Sequence, residues 1–140
     1  MHIVALKSPD SRDHRSVLHP DTVGKITALK GASISFESGI GDGINVSDQT
    51  FNDLGLKAIS RDECLSQGDL IITPTSLSKD ESSKLKSGST VLGMLNPFYA
   101  GEELKVLNQS RINAVSMEFI PRITRAQKMD VLSSQANLAG

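Results

Sequence analysis

Several residue types and patterns are scarce in this sequence, and each scarcity argues against a class of protein. The 140 residues include a single cysteine, Cys64, which excludes an intrachain disulfide framework and fits a reducing compartment. Tryptophan is absent and aromatic residues make up 4% of the chain, so a surface that stacks on nucleic-acid bases is not indicated. No apolar run approaches membrane-spanning length, and the opening segment 1–6 is too short for a signal peptide. We therefore expect a chain that is soluble by itself.

An excess of charge of one sign is also lacking. Fifteen basic and 16 acidic residues give a net charge of −1 with the signs mixed along the chain. This balance predicts neither a nucleic-acid partner nor binding to an anionic membrane surface. The length and a hydrophobic content of 38% suffice for one domain with a real core, but not for two. We predict a single domain over residues 1–140.

The histidines do not form a metal-binding pattern. His2, His14 and His19 all fall near the N-terminus, and neither their spacing nor their relation to Cys64 matches a known ligand arrangement. We interpret them as scattered surface histidines and predict no metal site.

Strand-like and helix-like segments alternate along the chain. Short apolar or alternating runs predict strands at 3–6, 33–37, 57–59, 69–73, 90–95 and 112–116. Segments with helix-start and helix-stop signals lie between them, at 20–30, 47–54, 60–68, 78–88 and 101–108. This alternation predicts an α/β fold with three layers, in which helices cover both faces of a mostly parallel sheet.

Two local predictions can be checked directly against a structure. Ser60–Glu63 and Ser78–Glu81 read as capping boxes, and the second helix is expected to run until Gly88 closes it. The alternation in Ser33–Glu37 predicts a strand with one exposed face.

The segment Glu37–Gly43 is rich in glycine and follows a predicted strand. Gly39, Gly41 and Gly43 give the spacing G-x-G-x-G, whereas a dinucleotide-binding loop needs G-x-G-x-x-G at the start of a helix. We interpret the segment as a structural turn and not as a phosphate-binding loop.

The last twenty residues carry the strongest functional pattern. Thr124 to Gln127 reads as a capping box that starts a helix, and from there Gln127, Asp130, Ser134 and Asn137 share one helical face. The face offers hydrogen-bonding groups with little net charge. Structural roles remain open at this point, because Gln127 could complete the box, Asp130 could favour the positive end of the helix, and the serines could pack as small residues.

Pro121-Arg-Ile-Thr-Arg-Ala-Gln127 closely resembles a segment in the NAD(H)-binding domain of the alpha subunit of proton-translocating NAD(P) transhydrogenases. The resemblance spans essentially the whole chain and includes the glycine turn after Glu37 and the strand at Asp69. It implies a flavodoxin-like, Rossmann-related fold, here the first subdomain of that domain with its closing helix cut short. In the family the pyrophosphate-binding fingerprint lies in a second subdomain, so the isolated chain is expected to be inactive and to bind NADH weakly or not at all.

The resemblance also assigns roles to individual residues. Arg122, Gln127, Asp130 and Ser133 match family residues that hold the nicotinamide ring and its carboxamide for hydride transfer, and Arg122 could pair with Asp130 in the empty site. Arg15 matches an arginine that binds the substrate carboxylate in the related alanine dehydrogenases, and we treat it as a possible binding residue.

The alanine dehydrogenases themselves provide an alternative function. They need a lysine at the end of one strand and a histidine after the next, but the corresponding positions here are Thr73 and Asn96. Neither side chain can take part in that proton transfer, so this alternative is disfavoured.

The family implies a larger assembly. Hydride passes between NAD(H), bound by the alpha subunit, and NADP(H), bound by a partner subunit, and the transfer is coupled to proton translocation. The expected partners are the remainder of the alpha subunit, a second alpha chain and the beta subunit, at the cytoplasmic face of the bacterial inner membrane. Contact with the membrane would come only through partner segments. A non-catalytic assembly module is a further alternative, because Leu132 and Leu138 on the last helix would need cover.

Overall fold

A parallel sheet of six strands forms the middle layer of the molecule. The computed structural model describes residues 1–99 and 101–139, and the side chains of all of these except Gln135, Leu138 and Ala139. The strands are β1 (His2–Ala5), β2 (Ser33–Glu37), β3 (Lys57–Ile59), β4 (Leu70–Thr73), β5 (Thr90–Gly93) and β6 (Asn113–Ser116). Every neighbouring pair is parallel, and the strand order is β3-β2-β1-β4-β5-β6. The predicted α/β fold class is confirmed.

This strand order has one reversal point, between β1 and β4. The chain first moves outwards from β1 to β3, then returns to β4 and moves outwards in the other direction. In sheets of this kind ligands bind outside the carboxyl ends of the strands at the reversal point. The loops after β1, β4, β5 and β6 all reach that edge of the sheet.

Six α-helices connect and follow the strands. They are α1 (Pro20–Thr27), α2 (Asp48–Asp53), α3 (Arg61–Gln67), α4 (Lys79–Ser83), α5 (Gly101–Gln109) and α6 (Val131–Ala139). Both predicted capping boxes are present: the side chains of Ser60 and Ser78 each accept the backbone N–H of the third helical residue, and their own backbone N–H donates to that residue's carboxylate. The helix that begins after Ser78 was predicted to run until Gly88, and this prediction is wrong, because α4 stops at Ser83. Gly88 instead takes a left-handed conformation and donates to the carbonyl of Arg111, next to β6.

Two hydrophobic clusters lie on opposite faces of the sheet. One joins Cys64 and Leu65 of α3 and Leu107 of α5 to Ile71 and to further strand residues. The other cluster joins residues of α1 and α2 to β1 and β2, and includes Val23, Phe36 and Phe51. Helices therefore cover both faces, as predicted. Burial also raises the pKa of the Cys64 thiol to about 12, which keeps it protonated at neutral pH.

The prediction of an exposed face on β2 is wrong. Ser35 and Glu37 are 5% and 7% exposed, because β2 is an interior strand with helices on both faces. Their polar atoms are satisfied inside the protein. The Ser35 hydroxyl bonds the ring of His2 at 2.9 Å, so this histidine is half-buried and not a surface residue.

Glu37 belongs to a charged network that ties four elements together. Its carboxylate accepts bonds from the guanidinium of Arg61 at 2.7 Å and from the amide of Lys7 at 3.0 Å. Arg61 also donates to the carboxylate of Glu81, at 2.6 Å, and to the Lys7 carbonyl, at 3.1 Å. Burial favours the neutral acid, yet the bonds from Ser78 and Arg61 hold the pKa of Glu81 below its ordinary value. The ends of β1 and β2 are thereby fixed to the starts of α3 and α4.

The glycine-rich segment after β2 is a tight turn, and several of its backbone amides donate within the protein. Gly39 has φ +77° and donates to the carboxylate of Asp48, while Ile44 and Val46 donate to the carbonyl of Gly41. A side chain on Gly41 would come within 2.2 Å of the Val46 carbonyl oxygen. These contacts support the structural interpretation of this turn.

Candidate functional site

The chain between β6 and α6 is built from two 3-10 segments. These are Met117–Phe119 and Thr124–Met129, and α6 begins only at Val131. The capping box predicted at Thr124 is wrong, because the side chain of Thr124 makes no capping bond and Ile123 occupies the N-cap position. A continuous helix from Thr124 is therefore not formed.

Asp130 starts α6 and thereby ends the preceding segment. Its carboxylate accepts the backbone N–H of Ser133 at 3.0 Å and the hydroxyl of Ser133 at 2.6 Å, which is an N-cap arrangement. The Ser133 hydroxyl and then the Ser133 amide hold the pKa of Asp130 below its ordinary value, with a smaller contribution from the charge of Arg122. The carboxylate therefore stays ionised at neutral pH.

A polar cavity of about 370 Å³ lies beside this helix start. Each of the six residues that line it has a polar side chain; they are Arg122, Gln127, Asp130, Ser133, Ser134 and Asn137. The structure thus brings together all four residues that the family resemblance indicated, although the helical face used to predict part of this grouping is interrupted at Asp130. The break in the helix allows residues of the 3-10 segment and of α6 to converge.

Five of the six lining residues form a closed pair and a set of three open side chains. Asp130 and Ser133 bond each other, whereas no hydrogen bond involves the side chains of Arg122, Gln127 or Asn137 within the described ranges. The pairing of Arg122 with Asp130 expected for the empty site is not formed there. The cavity therefore presents a guanidinium and two carboxamides whose hydrogen-bonding capacity the described residues leave unused.

Arg15 lies away from this cavity. It lines a groove of about 270 Å³ at the carboxyl ends of β4 and β5, which is mostly apolar and also includes Ile72, Thr73 and Met117. Val131, at the start of α6, reaches this groove from the opposite side. Two spaces therefore lie beside the first turn of α6, and Arg15, predicted only as a possible binding residue, lines a different one from the four residues assigned to the nicotinamide.

The guanidinium of Arg15 is already engaged. It donates twice to the carboxylate of Asp13, at 2.7 Å for each bond, and these bonds lower the pKa of Asp13 to about 2. Thr73 is buried and donates to the carbonyl of Thr75 at 2.7 Å. The groove consequently offers no group suited to proton transfer at Thr73.

The Asp13–Arg15 pair yields a prediction on pH. Because the pKa of Asp13 in the folded chain lies below its ordinary value of 3.8, the unfolded chain binds more protons between pH 4 and pH 2. The pair therefore stabilises the fold above about pH 4, and this contribution disappears as the pH falls towards 2. After screening at the half-exposed Arg15 we expect about 1 kcal/mol. Urea unfolding of the wild type and Asp13→Asn at pH 6 and pH 2.5 measures it, and equal differences at both pH values would contradict it.

Glu118 is a site-supporting residue that the sequence prediction missed. Its carboxylate accepts the amides of Leu95 and Asn96, at 3.2 and 2.7 Å, and the hydroxyl of Ser116. Burial opposes ionisation, but the bonds from Ser116 and Asn96 outweigh it and hold the pKa of Glu118 below its ordinary value. This bonding fixes the loop after β5, where Asn96 has φ +48°. An acidic residue two positions after a predicted strand was the available signal.

Comparison with known proteins places the chain in a family. The family described as "Alanine dehydrogenase/PNT, N-terminal domain" matches residues 7–139. The chain belongs to this family. It is 36% identical over 146 aligned residues to the first part of NAD(P) transhydrogenase subunit alpha of Rickettsia prowazekii, and 32% identical to the corresponding protein from Rhodospirillum rubrum. Each alignment covers the whole chain but 38% of the relative, so the chain spans well under half of these proteins.

Solved structures show the same relationship. A transhydrogenase from Sinorhizobium meliloti superimposes with a TM-score of 0.90 at 32% identity, over 97% of this chain and 41% of that one. An L-alanine dehydrogenase superimposes with a TM-score of 0.79 over 89% of this chain and 34% of that one, but at 18% identity it supports the fold alone. No helix among residues 1–99 and 101–139 is long and apolar enough to cross a membrane.

Proposed function

We propose that this chain is the N-terminal part of an NAD(P) transhydrogenase alpha subunit and contributes the wall that faces the nicotinamide of NAD(H). The observation that carries the proposal is the convergence of Arg122, Gln127, Asp130 and Ser133 on one polar cavity. The relatives over 30% identical that span the whole chain are named as transhydrogenase alpha subunits, which supports the same function.

The chemistry of the lining fits a nicotinamide. The carboxamide of this ring has a donor end and an acceptor end, and the Gln127 carboxamide can serve either end. Since the Ser133 hydroxyl donates to Asp130, its oxygen lone pairs remain to accept an N–H from the ligand. Arg122 supplies a donor for the carbonyl end. The bound ring would supply the hydride, and these residues would orient it and limit the access of water.

The cavity accounts for only part of a dinucleotide site. No G-x-G-x-x-G segment occurs in the sequence, and the backbone amides of Gly39, Ile40 and Asp42 in the glycine turn donate within the protein. We propose that the remaining contacts to NAD(H) come from the rest of the alpha subunit, that a second alpha chain and a beta subunit carrying NADP(H) complete the assembly, and that it works at the cytoplasmic face of the bacterial inner membrane. Hydride transfer coupled to proton translocation would be the reaction of that assembly, and no step requires a metal.

An NMR titration of the 140-residue chain with NADH tests the location and the incompleteness of this site. We expect affinity weaker than micromolar, with amide shift changes confined to residues 122–137. Arg122→Ala should reduce these changes several-fold, whereas Arg125→Ala, an exposed arginine that does not line the cavity, should leave them unchanged. Micromolar affinity would contradict the incompleteness of the site, and shifts elsewhere in the chain would contradict its location.

A second prediction concerns catalysis in an alpha subunit that contains this chain. Asn is as good an N-cap residue as Asp, so Asp130→Asn should keep the start of α6 while removing the charge. We expect Asp130→Asn and Arg122→Ala to slow hydride transfer by tenfold or more, with a smaller loss of NADH affinity, because the groups orient the ring. Stopped-flow transfer rates and equilibrium titration separate the two effects. Unchanged transfer rates would count against the assigned roles.

A further inference from the structure

The polar cavity extends beyond the four residues assigned to the nicotinamide ring. Ser134 and Asn137 also line it, and both belong to α6. Asn137 follows Ser133 by four residues, so it lies about 6 Å further along the helix axis and on the same side. The cavity therefore continues along α6, away from Arg122 and Gln127.

Asn137 has the characteristics of a ligand-binding side chain more than of a structural one. It is exposed, and its carboxamide makes no hydrogen bond with any described side chain or backbone group. It adds nothing to the capping of α6, which Asp130 and Ser133 accomplish. Yet its side chain lines the cavity together with theirs, and the fold gives it no other partner among the residues described.

We propose that Asn137 binds the ribose attached to the nicotinamide ring and is a further binding residue of this site. The inference rests on the proposed function, since it takes the ring to lie between Arg122, Gln127 and Ser133. One helical turn separates Asn137 from Ser133. This distance is longer than a single carboxamide group, and it fits a ligand whose ring contacts Ser133 while the substituent of the ring contacts Asn137. Ribose hydroxyls donate and accept, and a carboxamide does both.

Ser134 is the other lining residue outside the four that are assigned to the ring. Its hydroxyl donates to the carbonyl of Asp130 at 2.9 Å, so only its lone pairs remain for a ligand. Of these two side chains, Asn137 is accordingly the one that can both donate to a ribose hydroxyl and accept from it. A substitution at Asn137 should therefore act on ribose binding without disturbing the start of the helix.

Two neutral probes distinguish the ring from the ribose. The first, 1-methyl-1,4-dihydronicotinamide, carries only the ring and its carboxamide, and the second, reduced nicotinamide riboside, adds the ribose without a phosphate. In ¹⁵N NMR titrations of the 140-residue chain we expect both probes to shift the side-chain amide of Gln127. Only the riboside should shift the side-chain amide of Asn137. Asn137→Ala should raise the Kd of the riboside about three- to tenfold and leave that of the ring probe unchanged.

Asn108→Ala serves as the control, because Asn108 is an exposed asparagine on α5 that does not line the cavity. It should change neither Kd. A response of Gln127 to both probes without a response of Asn137 would overturn the ribose contact and leave the proposed function intact. An equal response of Asn137 to both probes would also overturn it, since the ring would then lie at that end. If neither probe affected Gln127 or Ser133, even in an alpha subunit that contains this chain, the proposed function itself would fail.

Discussion

Replacing Arg61 by alanine is expected to destabilise the chain by about 3 kcal/mol, because it leaves the buried carboxylate of Glu37 without its cationic partner. The Glu37 side chain is 9% exposed and that of Arg61 22% exposed, so solvent screens this pair little. The same substitution removes the bond to Glu81 and the bond to the Lys7 carbonyl. Three chain segments would lose their common donor at once. Urea unfolding followed by circular dichroism measures the change in the free energy of unfolding.

Two further variants separate the network from a general effect of losing an arginine. Arg12 forms an exposed ion pair with Asp10, so Arg12→Ala should change the stability little. Arg61→Lys keeps the charge but not the planar group that bonds both carboxylates, and should lie between the wild type and Arg61→Ala. A loss below 1 kcal/mol for Arg61→Ala would contradict the structural importance of the network.

Gly41→Ala is the second substitution with a large expected effect. The added carbon would lie 2.2 Å from the carbonyl oxygen of Val46 and 3.0 Å from the ring of Phe51, a fully buried side chain. Since the first neighbour is backbone, the turn itself must move. We expect a loss of about 1–3 kcal/mol or more, with the midpoint of urea unfolding as the measurement.

Gly24→Ala provides the matched control. Gly24 lies within α1, and nothing lies within 4 Å of the carbon that alanine would add. Alanine favours helix over glycine by about 0.5–1 kcal/mol, so this variant should be more stable than the wild type. If Gly41→Ala did not lower the stability, the segment after β2 would not be the tightly constrained turn described here. Its backbone amides could then bond to groups outside the turn.

The sheet could be predicted from the sequence because local signals agreed with the tertiary structure. The apolar runs and the capping serines at Ser60 and Ser78 mark elements that the structure contains. The errors arose where a distant residue decides the outcome. Ser35 and Glu37 resemble an exposed strand face until His2 and Arg61 are brought against them by the fold. Gly88 resembles a helix end, but its backbone amide donates to the carbonyl of Arg111, next to β6.

The sequence predicted which residues form the candidate site, but not the secondary structure that brings them together. The resemblance to transhydrogenases indicated Arg122, Gln127, Asp130 and Ser133, and the structure gathers them around one cavity. The helical periodicity used alongside it was wrong, since Asp130 competes for the role of N-cap and divides the predicted helix in two. Local side-chain bonding of this kind opposes helix propagation, and spacing alone does not show which of two possible caps prevails. The position of Arg15, in a separate groove, likewise depends on the folding of the loop.

The central claim is that the cavity beside α6 faces a nicotinamide ring. Intermolecular nuclear Overhauser effects between the ring hydrogens of reduced nicotinamide riboside and the ¹³C,¹⁵N-labelled chain test it most directly. We predict contacts from the ring to the side chains of Arg122, Gln127 and Ser133. Ring contacts confined to the apolar groove, at Arg15 and Ile72, would contradict the claim and place the ring on the other side of the first turn of α6.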